Sequence, residues 1–112
     1  MPIEISFLTP DLQRLCEQQK IAVRKLGSDS ARKLRARLAD LAAAASVSGL
    51  VTGHPHPLTG DRAGQFALAL SGGARLVFEP ANDPVPRVAR DGSIDWTRVT
   101  RVRVVFVGDY HD

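Results

Sequence analysis

The chain has 112 residues, a formal net charge of +3 and 44% apolar residues. That length suits one domain, spanning residues 1–112, around a single modest core, and the apolar share excludes a disordered polyelectrolyte. No apolar stretch approaches a membrane span, the opening MPIEISFLTP lacks the basic start of a signal peptide, and the lone Cys16 cannot close an internal disulfide, so a cytoplasmic setting is expected.

In chain order, IEISFL alternates Ile3, Ile5 and Phe7 with polar neighbours and predicts a strand. Thr9 as cap, Pro10 at the first helical position and Gly27 as a stop predict one helix between them. Its inner stripe would be Leu12, Leu15, Gln19, Ala22 or Val23, and Leu26, with Cys16 a core thiol on the stripe's edge rather than a nucleophile. Ser28 is expected to cap a second helix through about Ala45, with Ala31, Leu34, Leu38, Leu41 and Ala45 facing inward. So short a turn implies a two-helix hairpin. A short strand is expected near His54 to Leu58 and a turn from Thr59 to Gly64, followed by a hairpin of QFALAL and ARLVFEP across SGG. The segment ANDPVPRVARDGSIDW reads as a surface loop, and TRVRVVFVGDYHD carries a closing strand. The expected fold is α+β, with an N-terminal strand and helical hairpin packed on a curved, mostly antiparallel sheet of four to five strands.

Seven basic residues, Lys20, Arg24, Lys25, Arg32, Lys33, Arg35 and Arg37, fall within eighteen positions against one acid, Asp29. Such a cluster suits a polyanion or an acidic protein partner, and also an ordinary solvated helix face. Arg75 interrupts an apolar strand, so it lies either on an open sheet face or in a polar site. With His54, His56, Arg62 and the terminal Asp109, Tyr110 and His111, it would complete the set that metal-free RNA cleavage needs. Histidine moves protons near neutral pH, and arginine grips phosphate oxygens through paired hydrogen bonds. Tyrosine can hydrogen-bond a phosphate or stack on a base. His54, His56, His111 and an aspartate match no zinc spacing, and no phosphate-binding glycine loop or GxSxG is present. No metal or other cofactor is expected.

Five segments in one order resemble a known family: RKLGSDSARKLRARLADLAAAASVSGL, HPLTGDRAGQFALAL, RLVFEP, PVPRVARDGSIDWTRVT and VGDYHD. They are similar to the RelE/ParE superfamily of bacterial toxins, in its HigB-like, plasmid-maintenance killer-protein branch. The resemblance implies a RelE-like fold and a toxin neutralised by a helix-turn-helix, HigA-like antitoxin. It implies an mRNA endonuclease (an mRNA interferase) acting on the ribosome without metal, touching operator DNA only through the antitoxin complex and no membrane. Position by position it implies catalytic roles for His56, Arg75, Tyr110 and His111. Arg62, the motif arginine, and Asp109 would bind substrate, together with Lys33 and Arg37 of the basic helix. One departure is Thr59, where many members carry a lysine. Two other readings stay open: an antitoxin-binding regulator with weak or no catalysis, and a ParE-like gyrase inhibitor.

Overall fold

The computed structural model describes residues 2–109. Strand β1 (Glu4–Phe7) leads into helices α1 (Pro10–Glu17), α2 (Gln19–Leu26) and α3 (Ser28–Ala43); β2 (His56–Pro57), β3 (Phe66–Ala69), β4 (Ala74–Pro80) and β5 (Arg101–Asp109) follow. The strands form one sheet in the order β1-β5-β4-β3-β2. β1 runs parallel to β5, and every other neighbouring pair is antiparallel. The α+β class, the helices ahead of a mostly antiparallel sheet and the placement of β1 in that sheet agree with the sequence reading. Among the described residues no helix is long and apolar enough to cross a membrane.

The start of α1 follows local chemistry. Thr9 is extended, its hydroxyl accepts from the Leu12 N–H at 3.1 Å, and Pro10 occupies the first turn. The single helix expected up to Gly27 is instead two. Gln18 is extended (φ −117°, ψ 109°) and separates α1 from α2. The inner stripe contained one polar residue, Gln19, and the break lets Gln19 and Val23 turn outward while Leu15 and Ala22 stay buried. Ser28 is not the cap of α3. Gly27, at φ 86°, takes that position, and no side chain closes the helix start. The positive φ suits a residue without a Cβ. Ala31, Leu34 and Leu41 are buried as the periodicity requires, and Leu38 packs against the core, whereas Ala45 is exposed and Val47 supplies the next buried contact.

Register divides the sheet into two faces, because residues paired across strands share a side. Leu68, Leu76 and Val107 form one row, and Phe66, Phe78, Val104 and Phe7 another. These rows belong to the core that the helices cover. Val105 is left over as a bulge between the pairs Val77–Phe106 and Phe78–Val104. Two ties fix α3 to the sheet. The buried Ser30 hydroxyl donates to the Ser71 carbonyl (3.3 Å) and accepts from the Ser71 N–H (3.2 Å), and Arg37 Nε donates to the Ala69 carbonyl at 3.2 Å.

The segment expected as a surface loop is structured and partly internal. Asn82 hydrogen-bonds the Thr100 side chain and accepts from the Thr100 and Arg101 N–H groups. Arg87 pairs with Ile94, Ile94 and Trp96 pack on the core, and Val99 is fully buried.

Candidate active site

The sheet face away from the helices carries the candidate residues. His56, Ala67, Val77 and Phe106 make one row across β2, β3, β4 and β5, and Ala69, Arg75 and Gly108 make the next. Arg75 therefore lies on this face, which no helix of the described residues covers and which we call the open face; Arg75 is half-buried there, and Ala67 and Val77 at its centre are fully buried. His56 and Arg75 are two strands and two residues apart. At about 4.8 Å per strand and 3.3 Å per residue, their Cα atoms are roughly 12 Å apart. Side chains of their length can reach one phosphodiester from opposite sides, without touching each other.

His56 is oriented by its own turn. Its Nδ1 lies 2.8 Å from the His54 carbonyl oxygen, which can only accept. Nδ1 thus carries the proton, and Nε2 is the nitrogen left for proton transfer when the ring is neutral. His54 holds this geometry at φ 49°, a conformation uncommon for a residue with a side chain. The two imidazoles stand 4.9 Å apart, tilted by 46°. The expected strand from His54 to Leu58 contracts to His56–Pro57, since the prolines at 55 and 57 have no N–H to offer a ladder. A short 3₁₀ turn, Gly60–Arg62, then swings Arg62 over the open face. Its guanidinium sits 4.7 Å above the Phe106 ring and donates to Gln65 Oε1 at 3.0 Å.

Arg75 donates to the carbonyls of Ala74 (3.0 Å) and Gly72 (3.4 Å), and makes no ion pair among the described residues. The other end of the same face is neutralised. There Arg103 pairs with Glu79, and Arg101 with Glu4 at 3.0 Å. Arg75 thus stands without a carboxylate partner among the described residues, on the face it shares with His56 and Arg62.

Other expected site residues lie elsewhere. Asp109 pairs with Ala74 and so projects to the opposite side from Arg75. Its carboxylate closes over the β3–β4 turn, where a Cβ on Gly73 would come within 2.8 Å of both oxygens. That places the carboxylate against Gly73, on the side of the sheet away from His56. Arg37 is half-buried against the Ala69 carbonyl, and a Cβ on Gly53 would meet its Nε at 2.6 Å. Lys33 is half-buried on α3. Thr59 is exposed immediately before the 3₁₀ turn. Tyr110 and His111 lie outside the described residues. No group of three or more potential metal ligands occurs among the described residues. Cys16 is half-buried, and burial, aided by the neighbouring Glu17 charge, pushes its thiol up to about 12, which makes it a poor nucleophile.

The sequence reading did not single out Gln65, Arg87 or Trp96. Gln65 bridges to Arg62, and the other two come from the segment taken for a loop. The only signal was an aromatic, Trp96, inside the second of two aspartate turns, since Asp91 and Asp95 each accept from the N–H two positions on, as DGS and DWT allow.

No family model matches the chain, and no curated protein matches it. Among solved structures it is similar to a YoeB/ParE toxin from Agrobacterium tumefaciens, at 14% identity and a TM-score of 0.41, over 99% of this chain and 100% of that one. A likeness that loose transfers no residue roles, so the chemistry has to be argued from the open face itself.

Proposed function

We propose that the chain is the toxin of a toxin–antitoxin pair and a metal-independent endoribonuclease of the HigB-like kind, cutting mRNA on the ribosome. The observation that carries this reading is the shared open face of His56, Arg62 and Arg75, with His56 Nδ1 committed to the His54 carbonyl. The ordered motifs of the sequence support it.

In this scheme the ribose 2′-oxygen attacks phosphorus and the P–O5′ bond breaks, leaving a 2′,3′-cyclic phosphate and a 5′-hydroxyl. His56, through Nε2, either takes the 2′-hydroxyl proton or gives one to the leaving oxygen, and His111 performs the complementary transfer. Arg75 stabilises the charge that builds on the phosphorane oxygens, by turning outward from the Gly72 and Ala74 carbonyls. Arg62, braced on Phe106 and Gln65, holds an adjacent phosphate. Tyr110 orients or stacks on substrate. The helix-turn-helix antitoxin would be met in part by the basic exposed side chains of α2 and α3, such as Arg24, Lys25 and Arg35.

The test is a translating extract containing the purified chain. EDTA at levels that spare the ribosome's own magnesium should leave mRNA cleavage intact, and His56→Ala and Arg75→Ala should each lose about a hundredfold or more. Full activity in both variants would discard the site. Thr59, where a lysine would add phosphate-neutralising charge, favours a second reading as an antitoxin-binding regulator. That reading predicts normal growth when the chain is expressed without its antitoxin.

A further inference from the structure

A cleft of about 640 Å³ lies between the turn after β2 and the 81–98 segment, lined by Pro57, Gln65, Arg87, Ser93, Ile94 and Trp96 among others. We propose that this cleft binds a nucleobase of single-stranded RNA that passes round the β2 edge from the phosphate held on the open face. The proposal rests on the ribonuclease reading for its substrate class and extends it to a specificity site.

Three features argue for a base. Trp96 is a fixed platform: its ring packs on Phe66 at 4.9 Å, and Phe66 stacks on Phe78 at 5.5 Å, so the indole is backed by the core. An aromatic ring already immobilised loses little entropy when a base stacks on it. The polar lining matches a base edge. Gln65 Oε1 is occupied by Arg62, which turns the amide N–H groups elsewhere as donors, and Ser93 adds a hydroxyl. The cleft also adjoins the candidate active site across the β2 edge of the sheet. Pro57 and the Phe66–Trp96 pair lie on the opposite side of the sheet from His56, and Gln65 links the cleft wall to Arg62 on the open face.

Arg87 supplies an exposed cation at the wall, donating to the Gly92 carbonyl at 3.0 Å. It suits a backbone phosphate or a guanidinium stack on the base. Cleft and cations together favour a single strand, since a duplex keeps its base faces stacked away from any pocket. The 81–98 segment is thereby a specificity element, which accounts for its being braced by Asn82, the Arg87–Ile94 bridge and the Arg98–Asp95 pair rather than left loose.

Trp96 is the chain's single tryptophan, so its emission reports on this cleft alone. The experiment titrates the full chain with a fluorescently labelled hexanucleotide of 2′-O-methyl RNA, which cannot be cleaved, and reads tryptophan emission and label anisotropy together. Saturable quenching that tracks the anisotropy is expected. Trp96→Ala should weaken binding by about fivefold or more, in keeping with one lost base stack, and Trp96→Phe should restore most of it. Arg87→Ala, which leaves the Phe66 contact intact, should weaken binding by about threefold or more and serves if Trp96→Ala does not fold. Oligonucleotide binding with unchanged emission would overturn the proposal, as would wild-type affinity in folded Arg87→Ala and Trp96→Ala. Cleavage that depends on His56 without any change at Trp96 would overturn the cleft and spare the nuclease reading. Quenching in a chain that never cuts RNA would do the reverse. No binding at all would overturn the cleft and leave the nuclease reading to the cleavage assay in translating extract.

Discussion

Gly53→Ala is the substitution whose cost the structure specifies most closely. Gly53 stands at φ 92°, and an added Cβ would meet Arg37 Nε at 2.6 Å, Arg37 Cδ at 3.0 Å and the Ala69 carbonyl oxygen at 3.3 Å. The backbone conformation alone costs a residue with a Cβ about 1–2 kcal/mol. Arg37 must also retreat, releasing the Ala69 carbonyl it binds at 3.2 Å, for about another 1 kcal/mol. The sum is about 2–3 kcal/mol, or roughly 10 °C in Tm for a domain of this size. The two parts separate in a double-mutant cycle followed by thermal circular dichroism. Arg37→Ala alone should cost about 1 kcal/mol. Adding Gly53→Ala to it should cost only the backbone share, so the pair should be less destabilising than the sum by about 1 kcal/mol. Strict additivity, or a Gly53→Ala loss below about 2 °C, would refute the packing of Arg37 against the segment that leads into His54.

Three further outcomes follow from local chemistry. Thr9→Ala should lower stability by about 1 kcal/mol, read as a shift of about 4 °C, because the Leu12 N–H loses its acceptor. Cys16 should react slowly with thiol reagents at mildly alkaline pH and quickly in denaturant, since burial keeps it protonated. Asp91 and Asp95 are held below the usual carboxylate range, chiefly by hydrogen bonds from the Ser93 and Thr97 side chains respectively. A lowered folded-state value means that stability is present above the ordinary range and is lost as pH falls through the lowered one. Trp96 emission should therefore change on acidification below about pH 4, and Asp91→Asn with Asp95→Asn should abolish that change.

Much of the scaffold was legible because its signals are local. The Thr9–Pro10 start, the α3 stripe and the β3–β4 hairpin each follow from adjacent residues, and Arg75 announced itself as a charge in an apolar strand. The rest depended on partners far along the chain. No breaker marks Gln18; only the polar Gln19 in an otherwise apolar stripe hints that the helix must restart. Arg37 looked like its solvated neighbours, and its inward turn needs Gly53 and Ala69 to be in place. The 81–98 segment reads as a loop from its prolines and charges, whereas Ile94, Trp96 and Val99 find the core only after folding. Asp109 shared a strand end with the proposed site, but strand alternation sends it to the other face.

The most direct measurement of the central claim is the chemistry of the cut ends. RNA cleaved by the purified chain in translating extract should carry a 2′,3′-cyclic phosphate, or the 3′-phosphate it hydrolyses to, on the upstream fragment and a 5′-hydroxyl downstream, and the His56→Ala protein should yield neither. Fragments ending in a 3′-hydroxyl and a 5′-phosphate, or no fragments from the wild-type chain, would contradict it.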